Sequence, residues 1–134
     1  MVFPIVTGKA NGNGSRGFTL LELMVVLAII ALLLTIAAPR YFTHVDHARE
    51  AALKQTLFVV RDALDKFQMD KGRLPNSLDE LVGERYLRSR PVDPITERAD
   101  TWRVVLGPEE NAGIHDLHSG ADGHALDGSR YADW

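Results

Sequence analysis

The sequence contains no cysteine among its 134 residues, so no disulfide can hold any part of it together. In a domain that works outside the cytoplasm, a weakly structured segment then needs another fastening, such as a bound ion. The formal net charge is only −3, and nucleic-acid binding usually requires a basic stripe. The sequence also shows no Gly-rich phosphate loop, no Ser/His/Asp set and no paired-acid cleft. We therefore expect neither an enzyme nor a nucleic-acid-binding protein.

Charge is scarcest between Phe18 and Ala38, where 21 residues carry a single charged side chain, Glu22. A helix of this length spans about 30 Å, the thickness of the hydrocarbon core of a bilayer. The segment before it carries Lys9 and Arg16 and no acid, which favours a cytoplasmic amino end. The sequence therefore predicts a single membrane-spanning helix over residues 18–38.

The residues that surround this boundary form a recognisable processing signal. The junction Arg16-Gly17-Phe18-Thr19-Leu20-Leu21-Glu22 resembles the type III signal of prepilins, with Gly before the cut and Glu at the fifth place after it. This resemblance implies that prepilin peptidase cleaves between Gly17 and Phe18 on the cytoplasmic side and methylates the new Phe18 amine. We expect a removed leader (1–17), a membrane and filament-core helix (18–38) and a periplasmic head (39–134).

Glu22 and Pro39 are the two candidate assembly residues. An acid inside an apolar membrane segment is costly and indicates a function, and the resemblance implies that Glu22 of one subunit meets the Phe18 amine of a neighbour. Pro39 sits at the spacing from the cut at which pilin-like helices bend or melt during assembly. The plainer alternatives are a Glu22 solvated near the headgroups and a Pro39 that simply ends a helix.

A second periodic segment follows Pro39. Apolar residues recur at spacings of four, three, four and three, at Leu53, Leu57, Val60, Leu64 and Phe67. This pattern is typical of one face of an amphipathic helix. We predict one helix from about Phe18 to about Asp70, ended by Lys71-Gly72.

The remaining sequence predicts small elements that cover the apolar face. Ser77 and Glu80 offer a capping box for a short helix that stops at Gly83, and residues 90–94 form a proline-punctuated connector. Two short strands are predicted at Trp102–Leu106 and Ile114–His118, followed by a loop from Ser119. The predicted fold class is α+β: a long N-terminal helix, half membrane and half amphipathic, packed on a small antiparallel sheet with an ordered C-terminal loop.

Motifs in the head extend the resemblance beyond the processing signal. They are Gly72-Arg73-Leu74-Pro75, Val92-Asp93-Pro94, Trp102, the run from Ile114 to Gly123, and the final Ala132-Asp133-Trp134. Together they resemble the major, G-type pseudopilin of type II secretion, a branch of the type IV pilin-like superfamily. Two departures are a short segment before Val92 and Ile95-Thr96 in place of the usual Trp-Gly.

The resemblance also implies a calcium site in the carboxy-terminal loop. Carried over by position, the carbonyl oxygens of Leu117 and Ser119 and the carboxylates of Asp122 and Asp133 are the expected ligands, with Asp127 as a local candidate. Hard oxygen donors in a Gly-rich loop suit Ca²⁺. The alternatives are packing by Leu126, Tyr131 and Trp134, and a salt bridge from Arg130 in place of the ion.

The sequence thus predicts a structural subunit of a type II secretion pseudopilus in the bacterial inner membrane. The resemblance implies a homo-oligomeric filament, with minor pseudopilins, an inner-membrane assembly platform and prepilin peptidase as partners. One alternative is a type IV pilin for adhesion or motility, which usually carries a carboxy-terminal disulfide. The other is a monomeric, membrane-anchored periplasmic binding domain.

Overall fold

The computed structural model describes residues 1–5, 8, 14, 16–109 and 112–134. It divides into two units, Met1–Pro39 and Arg40–Trp134. Its elements in chain order are helix α1 (Leu20–Lys71), helix α2 (Leu78–Gly83), strand β1 (Arg103–Leu106), strand β2 (Ile114–His118) and a 3₁₀ turn (Tyr131–Asp133). The predicted α+β fold is confirmed. Lys9, whose charge was expected to favour a cytoplasmic amino end, lies outside the described residues.

Helix α1 begins at Leu20 and ends at Lys71, within two residues of the predicted bounds. Gly72 ends it in a left-handed conformation, with φ of +69°, which glycine adopts without steric cost. The predicted apolar stripe is buried throughout, and Ala63 and Glu50 are buried beside it. The helix therefore packs one face into the core of the second unit.

Helix α2 starts and ends as predicted. The Glu80 main-chain N–H donates to Ser77 Oγ at 3.2 Å, whereas the Glu80 carboxylate accepts from the Asn76 N–H at 2.6 Å. The predicted stop at Gly83 is confirmed, and the left-handed residue that follows the helix is Arg85, with φ of +64°. Two main-chain bonds, from Arg85 to Val82 and from Tyr86 to Leu81, complete a Schellman motif around it.

The two strands pair in antiparallel register, with Val104 opposite Leu117 and a bulge between Val105 and Leu106. Only β2 enters the core: Ile114 and Leu117 are buried, while every residue of β1 is exposed. Helix α1 therefore packs against β2, α2 and Leu87, and β1 forms the outer edge of the sheet.

One carboxylate in the head is completely buried without a cationic partner among the described residues. Asp93 is 0% exposed and accepts hydrogen bonds from the Ile95 N–H at 2.8 Å, the Thr96 N–H at 3.4 Å and the Ser119 hydroxyl at 2.5 Å. The connector at residues 91–101 is thereby fastened to the chain that leaves β2. A buried polar group of this kind is tolerated only when hydrogen bonds replace the lost water.

Candidate functional site

The predicted processing signal lies immediately before α1. Gly17 has open space around its Cα and Phe18 is exposed, so the peptide bond between them is accessible. Thr19 and Glu22 form a reciprocal cap: the Thr19 N–H donates to Glu22 Oε2 at 2.9 Å, and the Glu22 N–H donates to Thr19 Oγ1 at 3.2 Å. The acid thus satisfies the first turn of its own helix.

The first half of α1 is apolar on all sides. Among the described helices, α1 is long and apolar enough to cross a membrane, and none of its most apolar window is buried within the protein. Pro39 lies inside the helix, so it does not end α1 as the simpler alternative had it. Such a surface needs a bilayer or neighbouring helices to cover it.

The carboxy-terminal tail is fastened to α1 by Arg61. Its Nε donates to Asp116 Oδ1 at 2.7 Å, and its Nη2 donates to the main-chain oxygens of Leu117 at 3.1 Å and Trp134 at 2.9 Å. Burial alone would raise the pKa of Asp116, but the hydrogen bonds from Arg61 and the Leu117 N–H outweigh it and hold the pKa below its usual range. One guanidinium therefore joins the helix, β2 and the end of the tail.

A second contact fastens the tail nearer the middle of α1. Glu50 Oε1 accepts from the Leu126 N–H at 2.7 Å and from the Tyr131 hydroxyl at 3.1 Å. Burial, and then Glu50, raise the pKa of Tyr131. The Tyr131 and Trp134 rings meet edge to face at 5.5 Å and pack against the core. Of the three packing residues proposed as the alternative to calcium, Leu126 alone is exposed.

Neither Arg61 nor Glu50 stood out as a site residue in the sequence. Glu50 lies three residues before Leu53, on the same stripe as the apolar residues, and that position is the signal that could have revealed a buried acid. Arg61 gave no comparable signal, because its acid partner Asp116 lies 55 residues away. Arg130, the cation that the sequence suggested, has an exposed side chain.

The main-chain ligands expected for calcium lie at the end of β2. Leu117 and Ser119 are both fully buried, and the Leu117 carbonyl already accepts from Arg61. The Asp122 side chain is 98% exposed and lies 3.3 Å from Arg103 Nη2. A cation bound by Asp122 would therefore compete with Arg103.

The other two expected carboxylates belong to the last turns of the tail. Asp127 accepts from the hydroxyl and the main-chain N–H of Ser129, and these two bonds lower its pKa. Asp133 is exposed within the 3₁₀ turn. Across the described residues, no three His, Asp or Glu side chains gather closely enough to hold a metal. The expected donors are all oxygen atoms, a set that suits calcium by its chemistry.

Comparison with known proteins places the amino-terminal signal in a defined family. The family described as the prokaryotic N-terminal methylation motif matches residues 12–38. Competence protein ComGC of Halalkalibacterium halodurans is 35% identical over 79 residues, 59% of this chain and 78% of that protein. This chain belongs to the pilin-like proteins with an N-terminal methylation motif.

Other relatives of this pilin-like chain confirm the resemblance to the G-type branch. Type II secretion system core protein G of Escherichia coli K12 is 28% identical over 127 residues, 81% of this chain and 83% of that protein. Its counterpart in Xanthomonas campestris pv. campestris is 29% identical over 82 residues, 61% of this chain and 57% of that protein. The chain thus spans little more than half the length of the Xanthomonas relative. No solved structure matches the chain.

Proposed function

We propose that this chain is a structural subunit of a type II secretion pseudopilus. The observation that carries the proposal is the similarity to core protein G over more than four fifths of the chain in the Escherichia coli comparison. The methylation motif at residues 12–38 supports processing by prepilin peptidase. Under this proposal the peptidase cleaves between Gly17 and Phe18 and methylates the Phe18 amine.

The exposed apolar half of α1 supports the role of a subunit that moves from one apolar environment, the bilayer, into another, the filament. In the bilayer, lipid covers residues 18–38, and in the filament the same surface packs on neighbouring copies. Glu22 then serves as the partner of a neighbour's Phe18 amine. Pro39 lies where α1 lacks one main-chain donor and allows local bending during that transfer.

The proposed location follows from the same segment. The chain crosses the inner membrane once, with residues 1–17 on the cytoplasmic side and the head, 39–134, in the periplasm. Its partners are further copies of itself, minor pseudopilins and the inner-membrane assembly platform. It performs no catalysis, and the energy for assembly comes from those partners.

The test is a deletion strain that is scored for secretion and complemented with Glu22 variants. Glu22→Ala removes both the charge and the cap on Thr19, whereas Glu22→Gln retains an oxygen that can accept the Thr19 N–H bond. Because the proposal requires the charge, both variants should insert into the membrane and fail to assemble or secrete. Glu109→Gln, an exposed acid in the head, is the matched control. Normal filament yield with both Glu22 variants would contradict the proposed role.

The similarity to ComGC favours a second candidate, a pilin-like filament that serves competence or adhesion. The absence of cysteine counts against the disulfide-bearing type IV pilins. The deletion strain distinguishes the candidates when it is scored for secretion, twitching and DNA uptake. Loss of secretion alone supports the pseudopilus. Loss of twitching or transformation with intact secretion supports the second candidate.

We also propose that the tail binds calcium through the Leu117 and Ser119 carbonyl oxygens and the Asp122 and Asp133 carboxylates, with Asp127 close by in sequence. Extracellular calcium modules bind at about 0.1–1 mM, so thermal melts of the full chain at about 1 mM calcium and in chelator provide the test. Wild-type protein should melt higher with calcium, and Asp122→Asn should lose that increase. Glu109→Gln should keep it. Equal melting temperatures in calcium and chelator would eliminate the site.

A further inference from the structure

The segment of α1 that directly follows the apolar run is cationic and aromatic. Arg40 comes two residues after the run ends at Ala38, and Tyr41 and Phe42 follow it. The two rings meet edge to face at 5.9 Å and are 65% and 64% exposed. Tyrosine is enriched where a membrane helix enters the headgroup layer, and arginine extends its charged end into that layer. We refer to residues 40–44 as the interfacial segment.

The positive charge of the interfacial segment is not neutralised within the head. Arg40 and His44 are exposed, and Arg40 has no ion pair among the residues that the structure describes. By contrast, Arg49 pairs with Glu97 at 3.1 Å. A guanidinium donates its N–H bonds in a planar fork that matches the oxygen atoms of a phosphate. Arg40 is therefore available to an anion outside the chain.

Arg40 and His44 share one flank of α1, opposite the face that packs into the head. They are four positions apart, about 40° around the helix, and residues at this spacing are neighbours on its surface. His44 and Leu53 are nine positions apart, about 900°, which places them half a turn from each other. Leu53 is 0% exposed and belongs to the core. One anion can therefore reach both donors without displacing any part of the head.

The distance from the apolar run decides which side chains reach the headgroups. The hydrocarbon core is about 30 Å thick and the whole bilayer about 40–45 Å, which leaves about 5–8 Å for each headgroup layer. Counted from Ala38 at about 1.5 Å per residue, Arg40 lies about 3 Å along α1 and His44 about 9 Å. Helical side chains tilt toward the amino end, so His44 reaches back into the layer. His47, on the same flank, lies about 13–14 Å along the helix and stays outside it.

We propose that Arg40 and His44 bind the phosphate of an anionic phospholipid, of the phosphatidylglycerol type, in the periplasmic leaflet of the inner membrane. Tyr41 and Phe42 lie beside it, at the boundary with the acyl chains. This inference rests on the proposed single crossing of the membrane and identifies the lipid chemistry that holds the periplasmic end of the apolar run. Basic residues next to a membrane span are attracted to anionic lipids. The contact must break when a subunit leaves the bilayer, so it opposes extraction until neighbouring copies cover the apolar surface.

Native mass spectrometry of the full chain, purified in detergent with equal amounts of phosphatidylglycerol and phosphatidylcholine, tests this site. Wild type should retain phosphatidylglycerol preferentially. Arg40→Gln should weaken the affinity for phosphatidylglycerol by about fivefold, the contribution of one cation near an anionic surface. His44→Ala should weaken it by about two- to tenfold through the loss of one hydrogen bond. Arg49→Gln is the matched control, because it removes the same charge about 16–17 Å along α1 from Ala38, and it should bind as wild type does.

The depth of the interfacial segment can be measured separately, because the chain has no cysteine of its own. The full chain is placed in vesicles of phosphatidylglycerol and phosphatidylcholine and carries one nitroxide label. A label on Phe42→Cys should be relaxed mainly by oxygen, which concentrates in the bilayer. A label on His47→Cys should be relaxed mainly by a water-soluble nickel chelate. If nickel relaxes both labels equally, the assigned depth is wrong and the site is overturned.

The outcomes separate this inference from the proposed function. If the wild-type chain forms no filament, or if loss of the Glu22 charge leaves assembly intact, the proposed function fails, whichever lipid the chain retains. If filaments form and both Arg40→Gln and His44→Ala bind phosphatidylglycerol as wild type does, only the lipid site is refuted. Equal retention of the two lipids by wild type also refutes it. So does an Arg49→Gln protein that loses as much affinity as Arg40→Gln, because the attraction would then be a general effect of charge.

Discussion

Replacement of Arg61 by glutamine removes the guanidinium that joins α1 to three oxygens of β2 and the tail. Hydrogen bonds to charged groups contribute about 1.5–3 kcal/mol, but exposed ion pairs contribute about 0–1 kcal/mol. The Arg61 side chain is 39% exposed, so its pair with Asp116 belongs near the lower range. With the two main-chain acceptors included, we expect the free energy of unfolding to fall by about 2 kcal/mol.

The assay is a circular-dichroism melt of the full chain in detergent at neutral pH. For a domain of the size of Arg40–Trp134, each kcal/mol lowers the melting temperature by about 4–8 °C, so Arg61→Gln should melt about 8–16 °C lower. Asp62→Asn is the matched control, because it breaks only an exposed pair with Lys66, worth about 0.3–0.5 kcal/mol. If Arg61→Gln has the same melting temperature as wild type, Glu50 and aromatic packing hold the tail in place without Arg61.

The same variant carries a prediction about pH. The pKa of Asp116 is lowered in the folded protein, so its stabilisation is present above the unfolded pKa and is lost as pH falls through the folded pKa. The melting difference between wild type and Arg61→Gln should therefore be full at neutral pH. It should shrink below about pH 4, the ordinary range of an aspartate. A difference that stays constant down to pH 2 would contradict the role given to Asp116.

Two substitutions at backbone positions follow from the conformation of the chain. Arg85→Gly should raise stability by about 1 kcal/mol in a thermal melt, because φ of +64° strains a side chain and suits glycine; a lower melting temperature would contradict this. Gly120→Ala should lower stability by about 3 kcal/mol or more, since the new Cβ would lie 1.6 Å from the Thr101 carbonyl oxygen. Gly83→Ala, with open space around it, is its control and should be neutral or slightly stabilising.

The local parts of the fold could be predicted because neighbouring residues determine them. The stripe from Leu53 to Phe67 fixes a helical face by its spacing alone, and Ser77 caps α2 through a bond that reaches only three residues. The strands also came within a residue of their true bounds. That only β2 enters the core was not predicted, because this depends on which other elements of the head pack against each strand.

The fastening of the tail could not be predicted for a related reason. A guanidinium can reach any oxygen that the fold brings close, and the partners of Arg61 lie 55 to 73 residues away. Helix α2 ends at Gly83, as its sequence predicts, yet the Schellman bonds that follow it form around Arg85 and not around a glycine. The sequence shows which residue adopts a left-handed conformation most easily, whereas the fold decides which residue has to adopt it.

The buried carboxylate of Asp93 couples two loops that are distant in sequence. Its acceptors bind the Ile95 and Thr96 amides on one side and the Ser119 hydroxyl on the other. If the connector lifts away, the buried Ser119 hydroxyl loses its acceptor, and if the segment after β2 lifts away, the buried Asp93 carboxyl loses a donor. The connector and the segment that follows β2 therefore open together or remain closed together. We expect their amides to exchange hydrogen as one cooperative unit. A head without disulfides thus obtains through one acid a link between segments that would otherwise fluctuate separately.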